Sequence, residues 1–144
     1  MADGKSVIQM AHDAGVEFID VKFTGLLGDM QHLTFPVEAQ LNEGFFEDGV
    51  GFDGSSVRGF QTIDKSDMLL MLDPTSAFVD PVLRVPTLSV IGDVYDPVSG
   101  YSYERDPRQI AQPAEEYLTK TKVATTSSWG HAGGVLLFNP PRFL

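Results

Sequence analysis

Two runs of alternating apolar residues on either side of a glycine-bounded turn constrain this chain more than any other feature. Within Glu17 to Phe23, Ile19, Val21 and Phe23 share a face, and beyond the turn at Gly25 to Asp29, Leu33, Phe35 and Val37 do the same. Successive side chains of a strand point to opposite faces, so this period of two predicts a β-hairpin with one apolar side. Ahead of it, Val7, Met10 and Ala11 recur at helical spacing before Gly15, which predicts a first helix at about residues 5 to 14. Residues 37 to 44 read as a second, short helix. Further strands are expected at Met68 to Leu72 and Leu88 to Val94, each closed by an Asp-Pro pair. Asp106-Pro107 opens a last helix, with Asp as the capping acceptor and Pro at the first helical position, where its missing N–H costs nothing. Ile110, Ala114, Tyr117 and Leu118 then fall on one face. Pro113 interrupts that pattern at a cost of ~3 kcal/mol, which predicts a kink or a fresh start. The elements add up to an α+β fold, a mixed sheet with two or three helices.

Length and charge narrow the function. The 144 residues suffice for one core. Cysteine is absent, which excludes a disulfide framework and a thiolate metal site and suits a reducing compartment. The first residues carry no apolar run of a secretory signal, and apolar runs elsewhere are far below membrane-spanning length, so a soluble, cytoplasmic protein with no membrane partner is expected. The formal charge of −10, from 20 acidic and 10 basic side chains, repels the phosphate backbone and argues against nucleic acid.

The chemically richest stretch is Phe52-Asp53-Gly54-Ser55-Ser56, where one carboxylate sits beside two hydroxyls. Such oxygens can hold a small cation through charge-assisted hydrogen bonds. The same residue types also make an ordinary solvated turn. Gly49 to Gly54 fits G-x-G-x-x-G, but the acidic flank Glu47-Asp48 repels phosphate and Ser55 to Gly59 is a poor helix start, so a dinucleotide site is rejected. The glycines instead permit positive φ and close approach. Ser56 is not a hydrolytic nucleophile, because no G-x-S-x-G elbow is present and His12, His32 and His131 lie in no partner motif. His32 is expected on a sheet face, His12 on an exposed helix face, and Met68 and Met71 in core packing.

Six blocks in a fixed order resemble type I glutamine synthetase. They are Val21-Lys22-Phe23-Thr24; Gln31-His32-Leu33-Thr34-Phe35-Pro36; Phe46-Glu47-Asp48-Gly49 leading into Phe52-Asp53-Gly54-Ser55-Ser56; Ser66-Asp67-Met68-Leu69-Leu70; Asp93-Val94-Tyr95-Asp96-Pro97; and Arg105-Asp106-Pro107-Arg108. The resemblance runs from about Val16 to Thr126 and implies that enzyme's amino-terminal β-grasp domain, here residues 1–126. In the family, glutamate is phosphorylated by ATP and ammonia displaces the phosphate, the amino-terminal loop of one subunit completing its neighbour's active site. Carried over, Asp53 would bind ammonium and assist its deprotonation, Ser56 would line the same pocket, and Asp67 would border it. The resemblance implies ATP and Mg²⁺ or Mn²⁺ for the full-length enzyme but no cofactor in this chain. As partners it implies further synthetase subunits, in a homo-oligomer, with ammonium and glutamate.

Beyond residue 126 the pattern diverges. Where the family reads Gly-Pro-Glu-x-Glu-Phe-Phe, this chain reads Gly130-His131-Ala132-Gly133-Gly134-Val135-Leu136, so Ala132 and Gly134 stand in place of metal-binding glutamates and supply no oxygen ligand. A shifted reading frame accounts for part of this, because codons available to Gly133–Phe138 encode Ala-Glu-Phe-Phe-Phe one base later. Residues 127–144 are thus expected to be a divergent, poorly ordered tail. The expected function is a truncated synthetase unable to turn over alone. The alternatives are a non-catalytic partner or regulator inserted into full-length rings, and an unrelated module with a similar sheet.

Overall fold

A computed structural model describes residues 3–128. Helix α1 spans Gly4–Asp13. Its start is fixed reciprocally: Ser6 N donates to the Asp3 carboxylate at 2.9 Å, and Asp3 N donates to Ser6 Oγ at 3.0 Å. Gly15, at φ +60°, turns the chain out of the helix. The hairpin follows as β1 (Phe18–Thr24) and β2 (Met30–Pro36), antiparallel, with Ile19 opposite Phe35 and Val21 opposite Leu33. Ile19, Val21 and Phe23 are buried, as their alternation requires.

The single helix expected over 37 to 44 is two, α2 (Val37–Gln40) and α3 (Glu43–Glu47). Asn42 divides them: its backbone is extended, and its side chain accepts the Phe45 N–H at 3.0 Å, so it caps the second helix. Then come β3 (Val50–Asp53), β4 (Asp67–Val79), β5 (Thr87–Tyr95) and α4 (Pro107–Lys120). Among the described residues five strands form one sheet in the order β2-β1-β5-β4-β3. The central pair β1 and β5 is parallel and the other pairs are antiparallel. This is the expected α+β architecture.

The core lies between this sheet and the helices of the amino-terminal half. Val7 and Ala11 of α1 and Phe45 and Phe46 of α3 join Ile19, Val21, Leu70, Leu88, Val90 and Val94 in one buried apolar cluster. Each fully buried Val, Leu, Ile or Phe among them contributes about 1.5–3 kcal/mol.

β4 runs seven residues past its expected end at Leu72, through Pro74. The ladder with β5 slips between Asp73 and Phe78. Side chains repair the slip: Thr75 N donates to Asp73 Oδ1 at 3.0 Å, and the Ile91 N–H of β5 donates to Ser76 Oγ at 2.8 Å. A proline that would end a strand is thereby carried on a bulge.

α4 continues through Pro113 from Pro107 to Lys120. Pro113 has no N–H to offer the Gln109 carbonyl one turn earlier. The face expected to be apolar points outward, with Ile110 64% and Tyr117 67% exposed. The helix meets the sheet through polar groups instead. Arg108 Nε donates to Asp93 Oδ1 at 2.6 Å, Arg108 Nη2 to Asp73 Oδ2 at 3.2 Å, and Gln112 Nε2 to Asp93 Oδ2 at 3.0 Å. No helix among the described residues is long and apolar enough to cross a membrane. The expectations for Ala132, Gly134 and His131, and for the tail from Trp129 onward, lie outside the described residues.

Candidate functional site

The acidic stretch is not simply a loop. Its first half is strand β3, which pairs with β4 and ends at Asp53, and a 3₁₀ turn, Gly54–Ser56, follows. The G-x-G-x-x-G match therefore lies on the strand itself and leads into a three-residue turn, which leaves no helix N-terminus to receive phosphate. Gly49 supplies a positive φ of 76°. Gly54 supplies close approach, since a Cβ there would lie 2.4 Å from Met68 Sδ. Its N–H donates to the Ser66 carbonyl at 2.6 Å and extends the β3–β4 pairing by one step.

Asp53 presents an exposed carboxylate on this rigid end. Oδ1 accepts the Ser55 N–H at 2.9 Å and the Ser55 hydroxyl at 2.6 Å, and Oδ2 accepts the Ser56 hydroxyl at 3.0 Å. The Ser55 hydroxyl first, then the Ser55 N–H and the Ser56 hydroxyl, hold the acid below the usual carboxylate range. Asp53 is thus a fixed anion at neutral pH, with oxygen lone pairs left over for a cation. Ser56 has its hydroxyl turned to Asp53, which is not the arrangement of an activated nucleophile.

The register places Asp67 directly opposite Asp53 across the β3–β4 ladder. Directly opposed residues have Cβ atoms about 4.5–5.5 Å apart, and like charges in that position repel. Both carboxylates are exposed, so water screens the repulsion. A cation between them would remove it. Asp67 also lines a pocket of about 500 Å³ with Lys65, Asp96 and Val98, and Asp53 is not among its walls. All three residues singled out from the sequence therefore gather at one end of the β3–β4 pair.

Other residues hold the turn, and their part in it is not visible in the sequence. Phe52 and Phe60, which bracket it, both pack on Phe23, with ring centroids 4.9 and 6.2 Å away. Phe60 also packs on Tyr103 at 5.3 Å. The Tyr103 hydroxyl donates to the Phe60 carbonyl, and Arg105 Nη1 donates to the carbonyls of Gly59 at 3.1 Å and Phe60 at 3.4 Å. Burial pushes the Tyr103 hydroxyl up, which keeps it a donor.

The same local device occurs at Asp73, whose Oδ1 accepts both the Thr75 N–H and the Thr75 hydroxyl. Hydrogen bonding within the turn is thus a structural habit of this chain. What sets Asp53 apart is the facing Asp67.

A second polar cluster lies on the other face of the hairpin. Buried Asp20 accepts from Thr34 Oγ1 at 2.8 Å and lies 2.7 Å from His32 Nδ1, while Lys22 bridges Asp20 and Asp80 at 3.7 and 3.3 Å. His32 is on a sheet face, as expected, and His12 is exposed. Among the described residues no group of three His, Cys, Asp or Glu side chains could hold a metal ion.

The glutamine synthetase β-grasp domain family matches residues 15–97. The chain is similar to the glutamine synthetase of Aquifex aeolicus, 42% identical over 139 residues that cover 96% of this chain and 29% of that protein. It is likewise similar to that of Frankia alni, 45% identical over 139 residues with the same coverages. The chain thus spans 29% of the length of these relatives. Among solved structures, Plasmodium falciparum glutamine synthetase shares the fold at a TM-score of 0.73 and 21% identity, over 84% of this chain and 23% of that one. A GmaS/ADP complex shares it at 0.71 and 23% identity, over 84% of this chain and 26% of its own.

Proposed function

Because the chain belongs to the glutamine synthetase family through its β-grasp domain, we propose that its work is to present Asp53 as the ammonium-binding acid of an ATP-dependent glutamine-forming site shared between subunits. The facing of Asp53 and Asp67 at the exposed end of β3 and β4 is the observation that carries this reading. Ammonium offers four donors and no apolar surface. Asp53 supplies a carboxylate already ionised and oriented by Ser55 and Ser56, Asp67 borders the same position, and Ser56 lines it with a hydroxyl oxygen. Ammonium has no lone pair, so one proton must leave before nitrogen can attack an acyl phosphate, and the Asp53 carboxylate receives it: carboxylate and ammonium become carboxylic acid and ammonia. An acid held low in water is a weak base. That transfer therefore needs the dry surroundings that a neighbouring subunit would add, where the ion pair loses its solvation.

On this reading the remaining chemistry, with ATP, divalent metal and glutamate, belongs to the part of the relatives that this chain does not span. The partner is a synthetase subunit, in a homo-oligomer or a full-length ring, and the setting is the cytoplasm. Nucleic acid and membrane are not partners, in keeping with the net charge of −10. The purified 144-residue chain is expected to form no glutamine from ATP, glutamate and ammonium, and to co-elute with a full-length relative on size exclusion. Sustained turnover by the chain alone would overturn the reading. Co-elution that depresses the activity of the ring would instead favour a regulatory insert.

A further inference from the structure

We infer that Tyr103 and Arg105 are positioning residues for Asp53: together they clamp the carbonyls of Gly59 and Phe60 and so fix the far end of the turn that carries the acid. The inference rests on the reading of Asp53 as the functional acid, and its test is independent of that reading. The near end of the turn is already fixed, by the β3–β4 ladder and by the bond from Gly54 N to the Ser66 carbonyl. At the far end Phe60 packs on Phe23, and residues 54–60 need a directional anchor there to fix their backbone as well.

The clamp supplies that anchor from more than 40 residues away. Gly59 adopts φ +82°, a left-handed conformation that an L side chain rarely takes, and a Cβ there would lie 2.9 Å from Leu26 Cδ2. With the chain turned at this point, two successive carbonyls are served by donors from one segment: the Arg105 guanidinium reaches both, and the Tyr103 hydroxyl reaches the second. That segment is itself immobilised against β5. Tyr103 N donates to the Val94 carbonyl at 2.8 Å, and Val94 N donates to Asp106 Oδ2 at 2.8 Å. Inside the turn, Val57 N donates to the Gly54 carbonyl and Phe60 N to the Val57 carbonyl, so the position of Phe60 passes back along two bonds to the residue beside Asp53. Two buried anchors, Val57 and Phe60, leave this path little slack.

The test follows the side-chain carboxyl carbons by NMR through a pH titration of the full 144-residue chain, with Arg105→Ala, Arg105→Lys and Tyr103→Phe beside the parent. The groups facing Asp53 are Ser55 and Ser56 from its own turn and Asp67 from β4. If the clamp orients the turn, its loss weakens the serine bonds. The Asp53 midpoint then rises toward the ordinary carboxylate range, and the Val57 and Phe60 amides exchange about tenfold faster. Asp96, held low by the N–H groups of Val98 and Ser99, keeps its midpoint and reports that the rest of the fold is intact. Tyr103→Phe removes one donor and no charge, so a rise in that variant is not a Coulomb effect. Arg105→Lys keeps the charge and is expected to fall between Arg105→Ala and the parent. Midpoint and exchange both unchanged in Tyr103→Phe and Arg105→Ala would overturn the inference, as would midpoints of Asp53 and Asp96 that move together. The readout is the carboxyl group and not turnover. Failure of Asp53 to bind ammonium would therefore leave this result standing.

Discussion

Asp53 and Asp106 both cap short turns or helices with their carboxylates, and their surroundings push them in opposite directions. Asp53 is bathed in water and is held low by the Ser55 and Ser56 donors. Asp106 is fully buried at the start of α4, and burial pushes it up, against the pull of the Val94 and Arg108 N–H groups and with the nearby Asp93 charge adding to the rise. A carboxyl whose folded value lies above its unfolded value of about 3.9 contributes stability below that pH and loses the contribution as pH rises through the folded value. Asp106→Asn keeps an acceptor oxygen and never ionises. Its unfolding free energy, from urea melts at a series of pH values, is therefore expected to gain on the parent as pH rises from below 4 through the Asp106 titration. A difference that stays flat across this range would show that Asp106 is not destabilised by its burial.

At the scale of elements, α4 is held by charge and not by a greasy face. Arg108 is the pivot, reaching both Asp73 and Asp93, and burial, which pulls its guanidinium down, is outweighed by the Asp93 bond together with the charges of Asp93, Asp73 and Asp106. Arg108→Ala is expected to cost about 1–3 kcal/mol, because Asp93 loses a charged donor where it is largely buried. Hydrogen exchange should show α4 opening while β5 stays protected, and equal protection of α4 in the variant and the parent would contradict this role of Arg108. The apolar stripe of Ile110, Ala114, Tyr117 and Leu118 was legible in the sequence, but periodicity cannot tell whether such a stripe faces inward. The hairpin was legible because Ile19, Val21 and Phe23 alternate over a full strand. β3 was not, since Gly49, Gly51 and Gly54 spell a loop and Val50–Asp53 is too short to display a period. The course of β4 past Pro74 was hidden because its repair depends on Ser76 meeting Ile91, a contact made across the sheet. In the site, Asp53 and Ser56 were legible from their adjacency. The register that opposes Asp53 and Asp67 was not, nor was the clamp, whose partners lie 43 to 46 residues apart.

In the whole molecule, the candidate site sits at the edge of the sheet, while the apolar cluster fills its centre through β1, β5 and β4. This arrangement leaves the acid free to face a partner without disturbing the core. The net charge of −10 adds a diffuse attraction for small cations, which falls with ionic strength. On the proposed reading this domain contributes the ammonium-handling acid of a glutamine synthetase. That role is tested most directly by replacing the matching segment of the Aquifex aeolicus enzyme with residues 3–128 of this chain and measuring steady-state kinetics with Asp53 and with Asp53→Asn. The expected result is an active chimera whose kcat/KM for ammonium falls about 10²-fold or more in the variant, with the KM values for ATP and glutamate little changed. An Asp53→Asn chimera that uses ammonium as well as its parent would contradict that role.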